Sequence, residues 1–181
     1  EHQALVRARP VAGAPRVLDG FAAIRREILS RERDREALRA EVVAMRARML
    51  AEQRLSRDPE RLAARTELDL KQAPGAVVDI EFMVQFLVLG WARAHPRLLA
   101  YTDAIRTLET AAAEGVLDAG DADLLVESYK ALRAEAHLKT LQDQSARSER
   151  ADLLARADAV LALWSRIMTP ASGESASTGA D

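Results

Sequence analysis

A chain of 181 residues is long enough for one sizeable hydrophobic core, or a core with an appendage. Apolar residues make up 49% and charged residues 30%, with few glycines and prolines, which fits a mostly helical protein of the cytoplasm. The net charge of −2 gives no overall pull toward nucleic acid or a membrane surface, the lack of cysteine excludes disulfides and thiolate chemistry, and no apolar run reaches membrane-spanning length.

Residues 1–9 form a short helical stretch that starts inside an element, so the chain is expected to be a piece of something larger; Pro10 ends it. From Val17 to Leu29, Leu18, Phe21, Ile24 and Ile28 recur at helical spacing, with Arg25 and Arg26 set among them. Asp34 is placed to cap a helix over about 35–53, with Glu36 in its first turn. Leu38, Val42, Met45 and Met49 form its apolar seam, and Arg39, Glu41, Arg46 and Arg48 are assigned to its polar side. Residues 55–66 are charged, carry Pro59, and read as a loop with a helical turn or two.

Leu68 to Phe82 is the segment with β character. Leu68 and Leu70 alternate with Asp69 and Lys71, Pro74-Gly75 marks a turn, and residues 76–82 alternate again, predicting a hairpin of two short strands joined by residues 72–75. Such a hairpin is marginal alone and must pack on other structure. After Phe82 the pattern is helical: Met83, Phe86, Leu87, Leu89 and Trp91, then a helix through Ile105, Leu108 and Ala112 ending at Gly115. A long helix follows over 118–141, a polar break over 142–149, and a last helix over 151–168; residues 169–181 are expected to be a disordered tail.

In the predicted strand, Asp79 and Glu81 share a face, about 7 Å apart by strand rise. That pair reads two ways. Clustered carboxylates suit Mg²⁺, which prefers hard oxygen ligands and bridges protein to nucleotide phosphates. The same pair can instead be a solvent-facing edge, salt-bridged to Lys71. Gly120-Asp121-Ala122-Asp123 resembles a metal motif in outline, but it opens a helix, where capping accounts for both acids. The three histidines lack ligand spacing, no Walker loop is present, and the sparse aromatics sit at core spacing, against stacking on nucleic acid.

Three stretches together resemble the bacterial glutamine synthetase adenylyltransferases: Glu1 to Arg9, Asp69 to Gln85 (DLKQAPGAVVDIEFMVQ), and Leu87 to Trp91. The run from Tyr129 to Arg133 followed by His137 is similar to the family's helical bundle, and the middle stretch in looser form resembles uridylyltransferases of nitrogen control. The resemblance implies the end of a polymerase-β-like nucleotidyltransferase head over 1–82, a C-terminal helical bundle over 83–168, and the tail. It implies a mainly α fold with one short β-hairpin left over from the catalytic sheet. The intact enzyme would transfer AMP from ATP to a tyrosine of glutamine synthetase, with Mg²⁺ as cofactor. Its main Gly-Ser…Asp-x-Asp motif would precede Glu1, leaving this piece inactive alone. On this basis Asp79 and Glu81 are the expected catalytic and metal residues, and Lys71, Arg7 and Arg9 are expected to face the triphosphate. Glutamine synthetase is the expected partner, with a PII-type signal protein as a further one. The alternative is a non-catalytic helical module that docks either protein.

Overall fold

The computed structural model describes residues 2–169. Eight α-helices account for most of them: α1 (His2–Arg7), α2 (Pro15–Leu29), α3 (Arg35–Glu52), α4 (Pro59–Ala63), α5 (Val77–Trp91), α6 (Ala104–Ala113), α7 (Ala119–Leu141) and α8 (Ala151–Met168). A 3-10 turn over Pro96–Leu99 links α5 to α6. The expected tail falls outside the described residues except for Thr169. No described helix is long and apolar enough to cross a membrane.

The cap expected at Asp34 forms, whereas the two acids of residues 120–123 do not cap α7. Asp34 accepts from the Glu36 and Ala37 amides to start α3, Asp58 caps α4, and Asp103 caps α6. Asp118 caps α7 through the Gly120 and Asp121 amides, so the cap lies just ahead of the Gly-Asp-Ala-Asp run; Asp121 pairs with Arg166 of α8.

The mainly α architecture with one small antiparallel β-pair is as expected, but the predicted hairpin over 68–82 is not what forms. Only Leu68–Asp69 is a strand (β1), and its partner is β2, Arg147–Ser148, in the stretch read as a polar break. Leu68 pairs with Ser148 and Asp69 with Arg147, and the Leu70 amide extends the pairing by donating to the Ala146 carbonyl at 2.9 Å. Buried Glu135 on α7 holds β2 in place, accepting from the Ser148 hydroxyl and from Arg150.

The segment predicted as the second strand is the first half of α5. Its alternation is real, but the helix is surrounded: α1, α3, α6, α7 and α8 all pack on it, so nearly every face is buried. Helix propensity penalises β-branched Val77, Val78 and Ile80 by only a few tenths of a kcal/mol each. Burying such a side chain is worth about 1.5–3 kcal/mol. Tertiary burial therefore outweighs the local β preference. The Pro74-Gly75 turn leads into a helix start instead of a hairpin. Ala76 is the last extended residue, and the Val77 and Val78 amides donate to the carbonyls of Leu70 and Lys71, satisfying groups that a helix start leaves open.

Two arginines sit on the wrong side of the predicted faces. On α2, Arg25 is buried and Ile24 is exposed; the Arg25 guanidinium donates to the carbonyls of Leu5, Val6 and Leu99, tying α1 and the 3-10 turn to α2. Burial lowers its pKa from the ordinary value. On α3, Arg46 is wholly buried while Met45 reaches solvent, because the inward row is Leu38, Val42, Arg46 and Leu50 at four-residue spacing.

Candidate functional site

The start of α5 organises the charged residues singled out in the sequence. Asp79 is the third residue of the helix, where a carboxylate can reach back to the amides ahead of the first turn. It does so, accepting from the Gly75 amide at 2.8 Å on Oδ2. The same oxygen accepts from Arg57 Nη2 at 2.7 Å, and Oδ1 accepts from Arg46 Nε at 2.6 Å. The side chain has no solvent exposure. Arg46 also donates to the Gln72 carbonyl at 2.7 Å, and Arg57 stacks on the Trp164 ring of α8 at 4.4 Å. Burial lowers the Arg57 pKa, with Asp79 pulling in the opposite direction.

These bonds fix the 72–75 turn against α8. Gly75 has φ +80°, and a Cβ there would stand 1.9 Å from the Ala157 carbonyl oxygen. Glycine is required for both conformation and space. Arg65 closes the far side, donating to the Pro74 carbonyl at 3.1 Å and to Asp158.

Glu81 stands elsewhere. Residues two apart on a helix diverge, so the predicted common face for the two acids does not exist. Glu81 faces α1 and α7: Arg7 Nη1 lies 2.7 Å from Oε1, and the Tyr129 hydroxyl donates to the same oxygen at 3.0 Å. Burial and the neighbouring Glu81 charge raise the Tyr129 pKa. Unlike Asp79, Glu81 keeps some solvent contact, with 17% of its side chain exposed.

Lys71 is exposed on the turn before α5 and lines the same groove as Glu81; it makes no salt bridge with either acid. Arg7 joins this side through Glu81. Arg9 is exposed and lines a different cavity, with Phe21 and Arg26 of α2. The structure thus groups Lys71, Glu81 and Arg7, separates Asp79 from them, and leaves Arg9 apart.

The two acids offer no joint seat for Mg²⁺. Both Asp79 oxygens are engaged by donors, Glu81 lies on another side of the helix, and no three His, Asp or Glu side chains among the described residues come together to hold a metal. The residues missed from sequence are Arg46 and Arg57, the partners of Asp79. For Arg46 the signal was its place in the four-residue row of α3. Arg57 lies in a charged loop with no periodicity to mark it.

Residues 43–160 match the model of the family described as GlnD PII-uridylyltransferase. Among curated proteins, the bifunctional glutamine synthetase adenylyltransferase/adenylyl-removing enzyme of Thioalkalivibrio sulfidiphilus is 48% identical over 93% of this chain. Its counterpart in Nitrosococcus oceani is 46% identical over 93%, and that of Pseudomonas syringae pv. tomato 49% over 80%. The chain spans only 17%, 17% and 15% of those relatives' lengths, respectively.

Proposed function

The chain belongs to the family described as GlnD PII-uridylyltransferase, and from its likeness to glutamine synthetase adenylyltransferases we propose that it is part of an enzyme transferring AMP from ATP to a tyrosine of glutamine synthetase. The observation that carries this is 48% identity sustained over 93% of the chain to a protein of that name. In the reaction the tyrosine oxygen bonds to the α-phosphorus as the bond to the bridging oxygen breaks, and pyrophosphate leaves.

In this reading, the residues before α5 close the rear of the nucleotidyltransferase head and α5 with the helices after it forms the supporting bundle; the boundary expected at 82 falls inside α5, which runs unbroken from Val77 to Trp91. Magnesium ligands come from elsewhere in the longer protein in this reading, since no three acidic or histidine side chains among the described residues come together to hold a metal. Glu81 and Lys71 work on the accessible side of α5. Lys71 faces the triphosphate, and Glu81, held by Arg7 and Tyr129, orients the incoming hydroxyl. Asp79 acts indirectly, as the anchor of the turn that carries Lys71.

A docking role receives separate support from α2, where Val17 and Ile24 are exposed seven residues apart with exposed Val11 nearby in sequence. In that reading the helices bind glutamine synthetase or a PII-type protein without touching the nucleotide. The two are separated by assaying AMP transfer in the full-length protein. Glu81→Gln and Lys71→Ala are expected to lower kcat/KM while costing no more than about 1 kcal/mol of stability. Unchanged transfer in both would remove this face from the active site and leave docking.

A further inference from the structure

Among the described residues, four buried side-chain atoms have no hydrogen-bond partner: Arg46 Nη1, Arg57 Nη1, Arg65 Nε and Gln72 Oε1. They come from α3, from the stretch between α3 and β1, and from the turn before α5, yet they gather at one place. Arg46 donates to the Gln72 carbonyl and Arg65 to the Pro74 carbonyl, while Arg57 donates to the Asp79 oxygen that also holds the Gly75 amide. Buried polar atoms are nearly always satisfied, so four open ones around a single turn point to a bound partner there. The charges indicate its kind. Arg46 and Arg57 share the one carboxylate of Asp79, and Arg65 pairs with Asp158, so three guanidinium groups meet two carboxylates and one positive charge is left over. Burial lowers the Arg57 pKa, and the Arg46 charge adds to that, in spite of Asp79 beside it. Water would satisfy the N–H groups but leave the charge uncompensated, which is costly where Arg46 and Asp79 are shut off from solvent.

We propose that the 72–75 turn is braced by one small monovalent anion of the halide class, held by the Nη1 groups of Arg46 and Arg57 with Arg65 and the Gln72 amide beside it. A single negative charge matches the surplus, and N–H donors of charged groups make strong bonds to anions. The Gln72 amide presents its NH2 in place of its oxygen by a half-turn about the last torsion, so it serves an anion as well. A bulky or multivalent anion would exceed both the surplus and the space among atoms that solvent does not reach. Arg57, with 26% side-chain exposure, is the most open of the three arginines and marks the way in. The ion's role is positional: it fixes the turn that joins Lys71 to α5. Adenylyl transfer is not needed for it, so the site stands even if that reading fails.

Thermal melts of the 181-residue chain test it, with sodium gluconate exchanged stepwise for sodium chloride at fixed ionic strength so that screening stays constant. The expected result is a melting temperature that rises along a saturating curve, standing about 3–6 °C above the gluconate value when chloride is about ten times its Kd. Arg57→Met leaves Asp79 paired with Arg46 alone and removes the surplus charge, so its melting should not respond to chloride. A crystal grown in bromide gives a second reading that no variant is needed for: an anomalous peak within hydrogen-bond reach of Nη1 of both Arg46 and Arg57. Equal melting in chloride and gluconate would overturn the proposal. So would a chloride response that folded Arg57→Met retains, or a bromide crystal in which water alone meets these donors.

Discussion

Replacing Asp79 by Asn is the most informative perturbation of the fold. The carboxylate serves three donors: Arg46 on Oδ1, and Arg57 and Gly75 on Oδ2. Asparagine keeps the shape but has one acceptor oxygen, so its NH2 must face at least one of these donors. Arg46, with 1% side-chain exposure, loses its counter-charge in a setting where water cannot replace it. Arg46 Nη1 and Arg57 Nη1 are already without partners, so the cluster has no spare acceptor to offer. Removing one partner of a buried ion pair costs about 3–5 kcal/mol. A protein of this size loses about 2–4 °C of melting temperature per kcal/mol, giving a fall of about 6–20 °C. Urea unfolding followed by circular dichroism measures the free energy, and a thermal melt checks the temperature. Glu81→Gln is the matched control, because its partly exposed pair with Arg7 should be worth no more than about 1 kcal/mol. If D79N were within about 1 kcal/mol of the parent, the role of Asp79 as a buried anchor would be refuted.

Gly75→Ala should destabilise by about 2–5 kcal/mol, combining left-handed backbone strain with the collision at Ala157, and should shift the same urea curve. Arg25→Met should remove the side-chain donor from the Leu5, Val6 and Leu99 carbonyls, of which Leu5 keeps only the Ala8 amide, and hydrogen exchange should speed up across His2–Arg7 before the rest of the chain changes. Tyr129 has its pKa raised by folding, so its contribution is complete below the ordinary tyrosine value of about 10 and is lost as pH rises through the folded value. Parent stability should therefore fall more steeply with alkaline pH than that of Tyr129→Phe, measured as melting temperature against pH; parallel curves would contradict the Glu81–Tyr129 link.

The helical architecture is legible because most elements are amphipathic or bounded by plain signals, such as Asp34 as a cap and Gly115 as a stop. The stretch over 76–82 reads as β because α5 is buried on nearly every side, and a helix with so narrow a polar face shows little 3.6-residue period. Asp79 beside a Pro-Gly turn carries the correct signal, an acid at the third helical position, but the alternation of Val78, Ile80 and Phe82 with the two acids masks it. The partner strand Arg147–Ser148 was invisible for another reason. Two residues paired across nearly eighty positions have no local pattern, and their pairing is fixed by contacts from Glu135 and Arg150. Arg46 is assigned outward, and Arg25 given no inward place, because charged residues are rarely buried unless partnered, and their partners are distant carbonyls and an acid that sequence does not pair with them.

The most direct test of the functional assignment is the rate of AMP transfer from ATP to glutamine synthetase by the full-length protein carrying Glu81→Gln, compared with the parent at matched folded fraction. A fall in kcat/KM of about ten-fold or more with a melting temperature within about 4 °C of the parent is predicted, corresponding to at least about 1.4 kcal/mol of lost transition-state stabilisation. Parent-level transfer by that variant would contradict the placing of Glu81 at the reaction.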